Sequence, residues 1–323
     1  MDEGIDQELV SVVVPTYERS SMLLRALDSV NSQTYSPIEV IVVDDNGIGS
    51  EQQLETEKRV ASFHPRPGVA VKYIPRVKNG GGAAARNTGI EVSDGDYVGF
   101  LDDDDEFLPQ KIELQVRVLR ETAADVSYAH CVPDNRQTGG DTHYQHSCEG
   151  YPLFEQAYYG CLAATTQMIV RKEALTLVGG FTDSPSKQDS ILLYKLLLAG
   201  CRVCCVPKVL SLYHQDPGLE RISTRGKTLV GERVYSQLIR DSYDRFTLSQ
   251  RRRIEHAIRW REGRLLLKQG KWLEALPLLL GSFALAPASA WKRITVVIGR
   301  KAKSKKTSAA GRAGLKSSNL TLD

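Results

Sequence analysis

The 323-residue chain predicts an α/β fold, a mostly parallel central sheet flanked by helices, followed by a smaller all-α appendage. Three observations carry this expectation. Short β-branched runs alternate with helical patterns over the first hundred residues, which argues for βαβ units. Several of these runs end in polar or acidic residues, where the carboxyl ends of strands open on a ligand-binding crevice. Beyond about residue 226 the strand pattern stops and only helical periodicity remains.

The first run, residues 11–15, is apolar after Ser11 and demands cover on both faces; it ends in Pro15-Thr16-Tyr17. Behind it Leu23, Leu24, Leu27 and Val30 keep helical spacing after a serine-rich start. A second run, 38–45, ends in Asp44-Asp45-Asn46, and a third spans 69–74. NGGGAAARNTGI then joins three glycines to good helix formers, which reads either as a flexible turn or as a helix start whose amides approach an anion. The fourth run, 96–101, leads directly into Asp102, Asp103, Asp104 and Asp105.

Four ionised carboxylates in succession disfavour one another, so the stretch needs water, hydrogen-bond donors or a cation. An extended chain would send Asp102 and Asp104 to one side and Asp103 and Asp105 to the other. The first pair then suits Mg²⁺ or Mn²⁺, whose remaining positions go to water and phosphate oxygens.

Composition excludes several classes. A charged fraction of 25%, a hydrophobic fraction of 41% and a net charge of +3 describe an ordinary globular protein and do not suggest a nucleic-acid partner. No basic segment followed by an apolar one opens the chain, so the expected location is the cytoplasm. The most apolar stretch, 272–291, contains Glu274, Pro277 and Pro287 and reads as a packed amphipathic unit, not a membrane span. Six cysteines in such a chain read as thiols, and CRVCC lacks a second pair at zinc spacing.

Five stretches in order, VSVVVPTYER, VIVVDDN, NGGGAAARNTGI, GDYVGFLDDDDEFLP and VGGFTDSPSKQDSILLYKLLLAG, resemble the inverting glycosyltransferases of family 2, which have the nucleotide-diphospho-sugar transferase (GT-A) fold. The resemblance implies transfer of a sugar from a nucleotide-sugar, with a UDP-sugar favoured, to a hydroxyl of a glycan or lipid-linked acceptor in cell-surface polysaccharide or glycolipid biosynthesis. It implies that Pro15, Thr16, Tyr17, Glu18, Asp44 and Asp45 receive the nucleotide, Asp45 accepting a ring N–H. Gly81, Arg86, Asn87, Asp102 and Asp103 would line the same site, and Asp102 and Asp104 would hold the metal. Asp189, the acidic member of Gln188-Asp189, would be the general base. His214 and Arg221 would approach the diphosphate.

Read without the family, Asp189 fits a helix-capping role, and a first-turn position would weaken it as a base. His214 alone fits a hydrogen-bonded structural histidine. Processive synthases of the family carry membrane helices and a Gln-x-x-Arg-Trp motif; here only HAIRW at 256–260 approaches it, so transfer is expected to be distributive. Sugar nucleotidyl transfer, a glycosidase and a non-catalytic interaction protein are the rival readings.

The expected domains are a catalytic domain over 1–225, a helical region over 226–291 and a basic tail over 292–323. Gly270, Trp272, Ala275 and Pro287 match one tetratricopeptide-like helix pair, from which Pro277 departs. Nine basic and no acidic residues lie between Lys292 and Lys316, either a solvated tail or a peripheral contact with an anionic membrane.

Overall fold

The computed structural model describes residues 8–133, 147–214, 225–289 and 291. Arg221 and the basic tail from Lys292 onward lie outside the described residues. Two compact units divide the chain at Asp241/Ser242.

The first unit is built on one eight-stranded sheet in the order β3-β2-β1-β4-β7-β6-β8-β5. Its strands are β1 (Val10–Thr16), β2 (Ile38–Asp44), β3 (Val69–Pro75), β4 (Tyr97–Phe100), β5 (Glu106–Phe107), β6 (Val126–Pro133), β7 (Met168–Arg171) and β8 (Val203–Tyr213). β3, β2, β1 and β4 are parallel, in agreement with the expected βαβ units. β7 enters antiparallel to both β4 and β6, and β5 pairs antiparallel with β8. The sheet is therefore mixed in its second half.

Every residue of β2 is buried and β1 is nearly so, which is why both are dominated by valine and isoleucine without polar alternation, apart from Ser11, Thr16, Glu39 and Asp44. β3 lies at the edge and is mostly half-buried. Helices α1 (Ser20–Asn31), α2 (Glu51–Ala61), α3 (Gly81–Val92) and α4 (Lys111–Thr122) follow the strands. α1 buries Leu23, Leu27 and Val30 of the stripe seen in the sequence together with Ala26, while Leu24 is half-buried. α2 starts at Ser50, whose side chain accepts the Gln53 amide at 3.1 Å. α3 lies so close to β1 that a Cβ on Gly89 would stand 2.8 Å from Val13 Cγ2 and closer still to Cγ1. Two apolar layers result. Val13, Ile41, Val43 and Phe100 pack with Leu192 and Leu196 on one face of the sheet, while Val12, Val14, Val40 and Val42 pack with Leu23, Leu27 and Ile112 on the other.

Polar groups inside this core are held by specific partners. Glu39 on β2 accepts from the Ser11 hydroxyl and from the Asp94 and Gly95 amides, and pairs with Lys72 at 2.6 Å. Burial pushes its carboxyl up, but these donors outweigh it and hold it below the usual range. Lys111, fully buried at the start of α4, donates to the Gln115 side chain and to the Gln167 carbonyl at 3.1 Å and lies over the Phe107 ring. Among the described residues it has no ion-pair partner, and burial pushes its ammonium down to about 7. The six cysteines are free thiols.

Three helices follow in the first unit: α5 (Leu153–Tyr159), α6 (Lys172–Leu177) and α7 (Gln188–Leu198). A fourth, α8 (Arg225–Asp241), falls in the same unit, sixteen residues beyond the expected domain boundary. Tyr235 explains why: its ring meets Tyr194 of α7 edge-on at 5.8 Å, and its hydroxyl donates to the Gln156 carbonyl of α5 at 2.9 Å. The second unit pairs α9 (Leu248–Lys268) with α10 (Trp272–Leu285) across a turn at Gly270. Thr247 and Gln250 cap α9 reciprocally, and Gly263 of α9 admits Leu279 of α10 at close range. No helix among the described residues is long and apolar enough to cross a membrane.

Candidate functional site

The polar residues after β1, β2 and β4 converge with the start of α3, the start of α7 and the end of β8. The run Asp102 to Asp105 is not extended. Its Asp105 amide donates to the Asp102 carbonyl at 3.0 Å, closing a tight turn with Asp103 and Asp104 at its centre. Exposure still alternates: Asp103 and Asp105 are buried, Asp102 and Asp104 half-buried.

Each carboxylate has its own support. Thr16 Oγ1, buried at the end of β1, donates to Asp103 Oδ2 at 2.8 Å. Arg19 meets Asp104 Oδ2 at 2.5 Å and Asp103 Oδ1 at 3.5 Å. Arg86 on α3 meets Asp102 Oδ1 at 2.5 Å, and Thr166 donates to Asp105 Oδ2 at 2.8 Å. Arg25 adds a bond to the Asp104 carbonyl at 2.8 Å. Positive charge remains insufficient. Burial, helped by neighbouring Asp104 and Asp102, pushes Asp103 up to about 7 against the Thr16 hydroxyl. Burial and then Asp102 raise Asp104, and burial followed by Asp102 and Asp104 raises Asp105 well above the carboxylate range.

The donor set fits a divalent cation of the Mg²⁺ or Mn²⁺ type. Asp102 and Asp104 present partly exposed carboxylates, with side-chain exposures of 37% and 27%, in a turn whose four acids outnumber the two arginines, Arg19 and Arg86, that pair with them. Among the described residues no three His, Cys, Asp or Glu side chains form a ready-made cage, so such an ion would take its other ligands from water and substrate.

Asp45 is the second acidic centre. Its Oδ2 accepts the Gly81 amide at 2.7 Å, its Oδ1 accepts the Gly80 amide at 3.0 Å, and Arg76 at the end of β3 pairs with it. The glycine loop thus turns its first amides onto a protein carboxylate. Gly81 sits at φ +80°, where a side chain is strained, so this turn requires its glycine. Asp44 is different from the expectation. It is fully buried and accepts from Tyr73 at 2.6 Å and from the Asn46 amide and side chain at 2.9 and 2.7 Å, holding the β2 loop in shape. Asn87 is likewise committed to the fold, donating to the Phe181 carbonyl at 2.9 Å and accepting its amide at 2.8 Å.

Tyr17 and Glu18 are exposed and Pro15 half-buried beside them. Glu18 adopts φ +55°, and its amide donates to Asn46 Oδ1 at 2.8 Å, tying the β1 and β2 loops together. A cavity of about 250 Å³ next to them is lined by Glu18, Glu51 and Glu55 with Ser20, Gln52 and Thr56. Three glutamates make this cavity unfavourable for a diphosphate.

Arg86 also donates to Gln188 Oε1 at 3.0 Å, and its guanidinium lies 5.5 Å from the Phe181 ring centre. One side chain thereby joins the acid turn to the first residue of α7. The next residue, Asp189, is half-buried; its Oδ1 accepts the Ser190 amide at 2.6 Å and hydroxyl at 3.2 Å. Lys187, left-handed at φ +63°, precedes the helix and offers no side-chain cap. Cys161 Sγ lies 3.9 Å from Asp189 Oδ2, and burial with the nearby carboxylate pushes that thiol up to about 12. His214 ends β8 with Nε2 2.7 Å from Glu106 Oε1 and its amide on Asp105 Oδ1 at 3.3 Å.

Arg19, Arg76 and Thr166 are the site residues that sequence reasoning did not single out, while Gln188 entered it only as the partner of Asp189. Applying the strand-end argument to β3 would have found Arg76, and Arg19 lies within the quoted VSVVVPTYER. Thr166 carried no signal, because its partner Asp105 is distant in sequence.

Residues 11–181 match the family described as Glycosyl transferase family 2. An uncharacterized glycosyltransferase of Rickettsia bellii is 37% identical over 116 residues, 35% of this chain and 15% of that protein. The chain thus spans only a small part of the length of several of its relatives. The putative colanic acid biosynthesis glycosyl transferase WcaA of Escherichia coli is 25% identical over 244 residues, 73% of this chain and 83% of that one. Among solved structures, S. aureus TarS 1-349 in complex with UDP-GlcNAc has a TM-score of 0.63 at 19% identity, covering 85% of this chain and 83% of that chain. The mannosyltransferase PcManGT from Pyrobaculum calidifontis, in complex with GDP-Man and Mn²⁺, has a TM-score of 0.56 at 18% identity, covering 90% and 79%. The fold is that of these GT-A proteins.

Proposed function

Because the chain belongs to glycosyl transferase family 2, we propose that it is an inverting, metal-dependent glycosyltransferase that uses a nucleotide-sugar, a UDP-sugar by preference. One observation carries the reading: Arg86 bridges the acid turn at Asp102 to Gln188, the residue before Asp189. A leaving-group end and a proton-accepting end are thereby joined by one buried cation.

The nucleotide lies across the β1 and β2 loops, beside Pro15, Tyr17 and Glu18. Asp45 has three donors on a carboxylate with about four acceptor directions, which leaves room for one ring N–H. Thr16 and Asp44 act from below, Thr16 by fixing Asp103 and Asp44 by shaping the loop. Arg19 and Arg86 face the diphosphate, with His214 holding Glu106 and Asp105 behind the turn. Asp102 and Asp104 would hold a divalent cation, which when bound supplies positive charge against the departing diphosphate. The acceptor hydroxyl attacks the anomeric carbon as the bond to the diphosphate oxygen breaks. Asp189 takes the hydroxyl proton, and the electron pair leaves on the nucleoside diphosphate.

An exopolysaccharide or lipid-linked glycan as acceptor is supported by relatives described as amylovoran and colanic acid biosynthesis enzymes. A cytoplasmic site of action, with the basic tail meeting an anionic membrane face, completes the proposal. Calorimetry with UDP, with and without Mn²⁺, tests it: binding should require the metal and vanish in Asp104→Ala. Asp189→Asn should bind UDP normally and lose transfer at least a hundredfold. UDP binding that ignores Mn²⁺, or full activity of the Asn variant, contradicts the assignment.

A further inference from the structure

Within the described residues of the second unit, α10 exposes an apolar face. Trp272, Leu273, Leu276, Leu280 and Phe283 of α10 are between 42% and 70% exposed. At 3.6 residues per turn these five fall in one stripe about 100° wide. The adjoining side of the helix, with Ala275, Leu279 and Ser282 centred about 100° round from the stripe, packs on α9, so the stripe is not the face that builds the pair. An exposed apolar band of this kind marks an interaction surface.

Charge selects the occupant. From Leu248 to Trp291 the chain carries eight basic and three acidic residues, and from Lys292 to Lys316 nine more basic ones with no acid. A second copy docked on the stripe would bring two such positive segments together. An anionic surface would neutralise them, each cation near it contributing roughly fivefold to partitioning. Lys268 and Lys271, both exposed, precede Trp272 in the chain, Lys271 also pairing with Glu274 at 3.7 Å, and such flanking cations suit a helix lying in a bilayer interface, with aromatic and aliphatic groups below and cations at headgroup level.

We infer that α10 is an interfacial membrane helix whose Trp272–Phe283 stripe inserts among the acyl chains of an anionic bilayer, with the neighbouring cations on lipid phosphates. The insertion element is this stripe, and the basic tail supplies long-range attraction. The inference does not depend on the donor chemistry: none of the stripe residues belongs to the acid turn, so UDP calorimetry reads the proposed activity separately.

The test uses the full chain with vesicles of phosphatidylcholine and phosphatidylglycerol at 3:1, against pure phosphatidylcholine. Sedimentation should show at least tenfold stronger partitioning into the anionic vesicles, with a blue shift of tryptophan emission as Trp272 leaves water. Leu276→Glu/Leu280→Glu should lower partitioning at least tenfold and remove the blue shift. Leu276→Ser/Leu280→Ser, with circular dichroism matching the parent, should do the same without added charge. Parent-like partitioning of both variants means that the tail binds alone and overturns the inference. So does a parent chain that ignores anionic vesicles, or a parent dimer in light scattering that these substitutions split, which would give the stripe to a second copy.

Discussion

Replacing Lys111 by Met should make the protein more stable at pH 7 and progressively less so, relative to the parent, as the pH rises. The ammonium is fully buried without an ion-pair partner among the described residues, and burial moves it from its ordinary 10.5 to about 7. At about 1.4 kcal/mol per tenfold, keeping this lysine inside costs up to about 5 kcal/mol at low pH. Between pH 7 and pH 10 the unfolded chain holds a proton that the folded chain has released, so the parent gains stability across that window. Methionine abolishes this dependence. It also leaves Gln115 Oε1 without its donor, a loss of about 1–3 kcal/mol that does not vary with pH, while the Gln167 carbonyl keeps the Gln115 amide at 3.0 Å. The variant should therefore exceed the parent by about 2–3 kcal/mol at pH 7, and the difference should shrink by about 2 kcal/mol by pH 9. Urea unfolding of both proteins at pH 7, 8 and 9 reads this directly. Burial pushes the Cys131 thiol up to about 12 against the nearby Lys111, so losing the lysine leaves that thiol protonated across this window, and the other cysteines and the tyrosines cancel. Stability curves that run parallel from pH 7 to 9 would refute a buried, largely neutral lysine.

Arg86→Met removes the bridge between Asp102 and Gln188; UDP-release kinetics should show a loss of about a hundredfold or more in turnover while the melting temperature moves little. Unchanged turnover would detach Arg86 from the proposed chemistry. Gly89→Ala forces a methyl into Val13 where α3 crosses β1 and should destabilise by about 1–3 kcal/mol in thermal melts. Glu39→Gln should destabilise by about 2–3 kcal/mol at pH 6, since the carboxylate is buried against Lys72. Because Glu39 is held below its ordinary 4.5, its contribution is complete above that pH and lost as the pH falls below it; the gap between parent and variant should narrow at pH 3.5.

β1, β2 and β4 were legible because they are covered on both faces, and apolar runs such as 40–43 record that burial residue by residue. β5 and β7, two and four residues long, are set by pairing with strands distant in sequence, and so short a run leaves no periodic trace. Tyr235 shows the same limit at the domain boundary, since its partners Tyr194 and Gln156 lie more than forty residues away.

At the site, the sequence by itself determined which carboxylates stand at strand ends, because apolar strands must stop where solvent and ligand begin. That much placed Asp45 and Asp102 to Asp105 just past the ends of β2 and β4, where the structure has them. Only the tertiary structure decided what each one faces. Asp44 and Asp45 are adjacent in the chain, yet the first is consumed by Tyr73 and Asn46 and the second by the glycine loop and Arg76. Side chains of successive residues leave a strand end in different directions, and the identity of the neighbour in each direction is fixed by which segments the fold brings there.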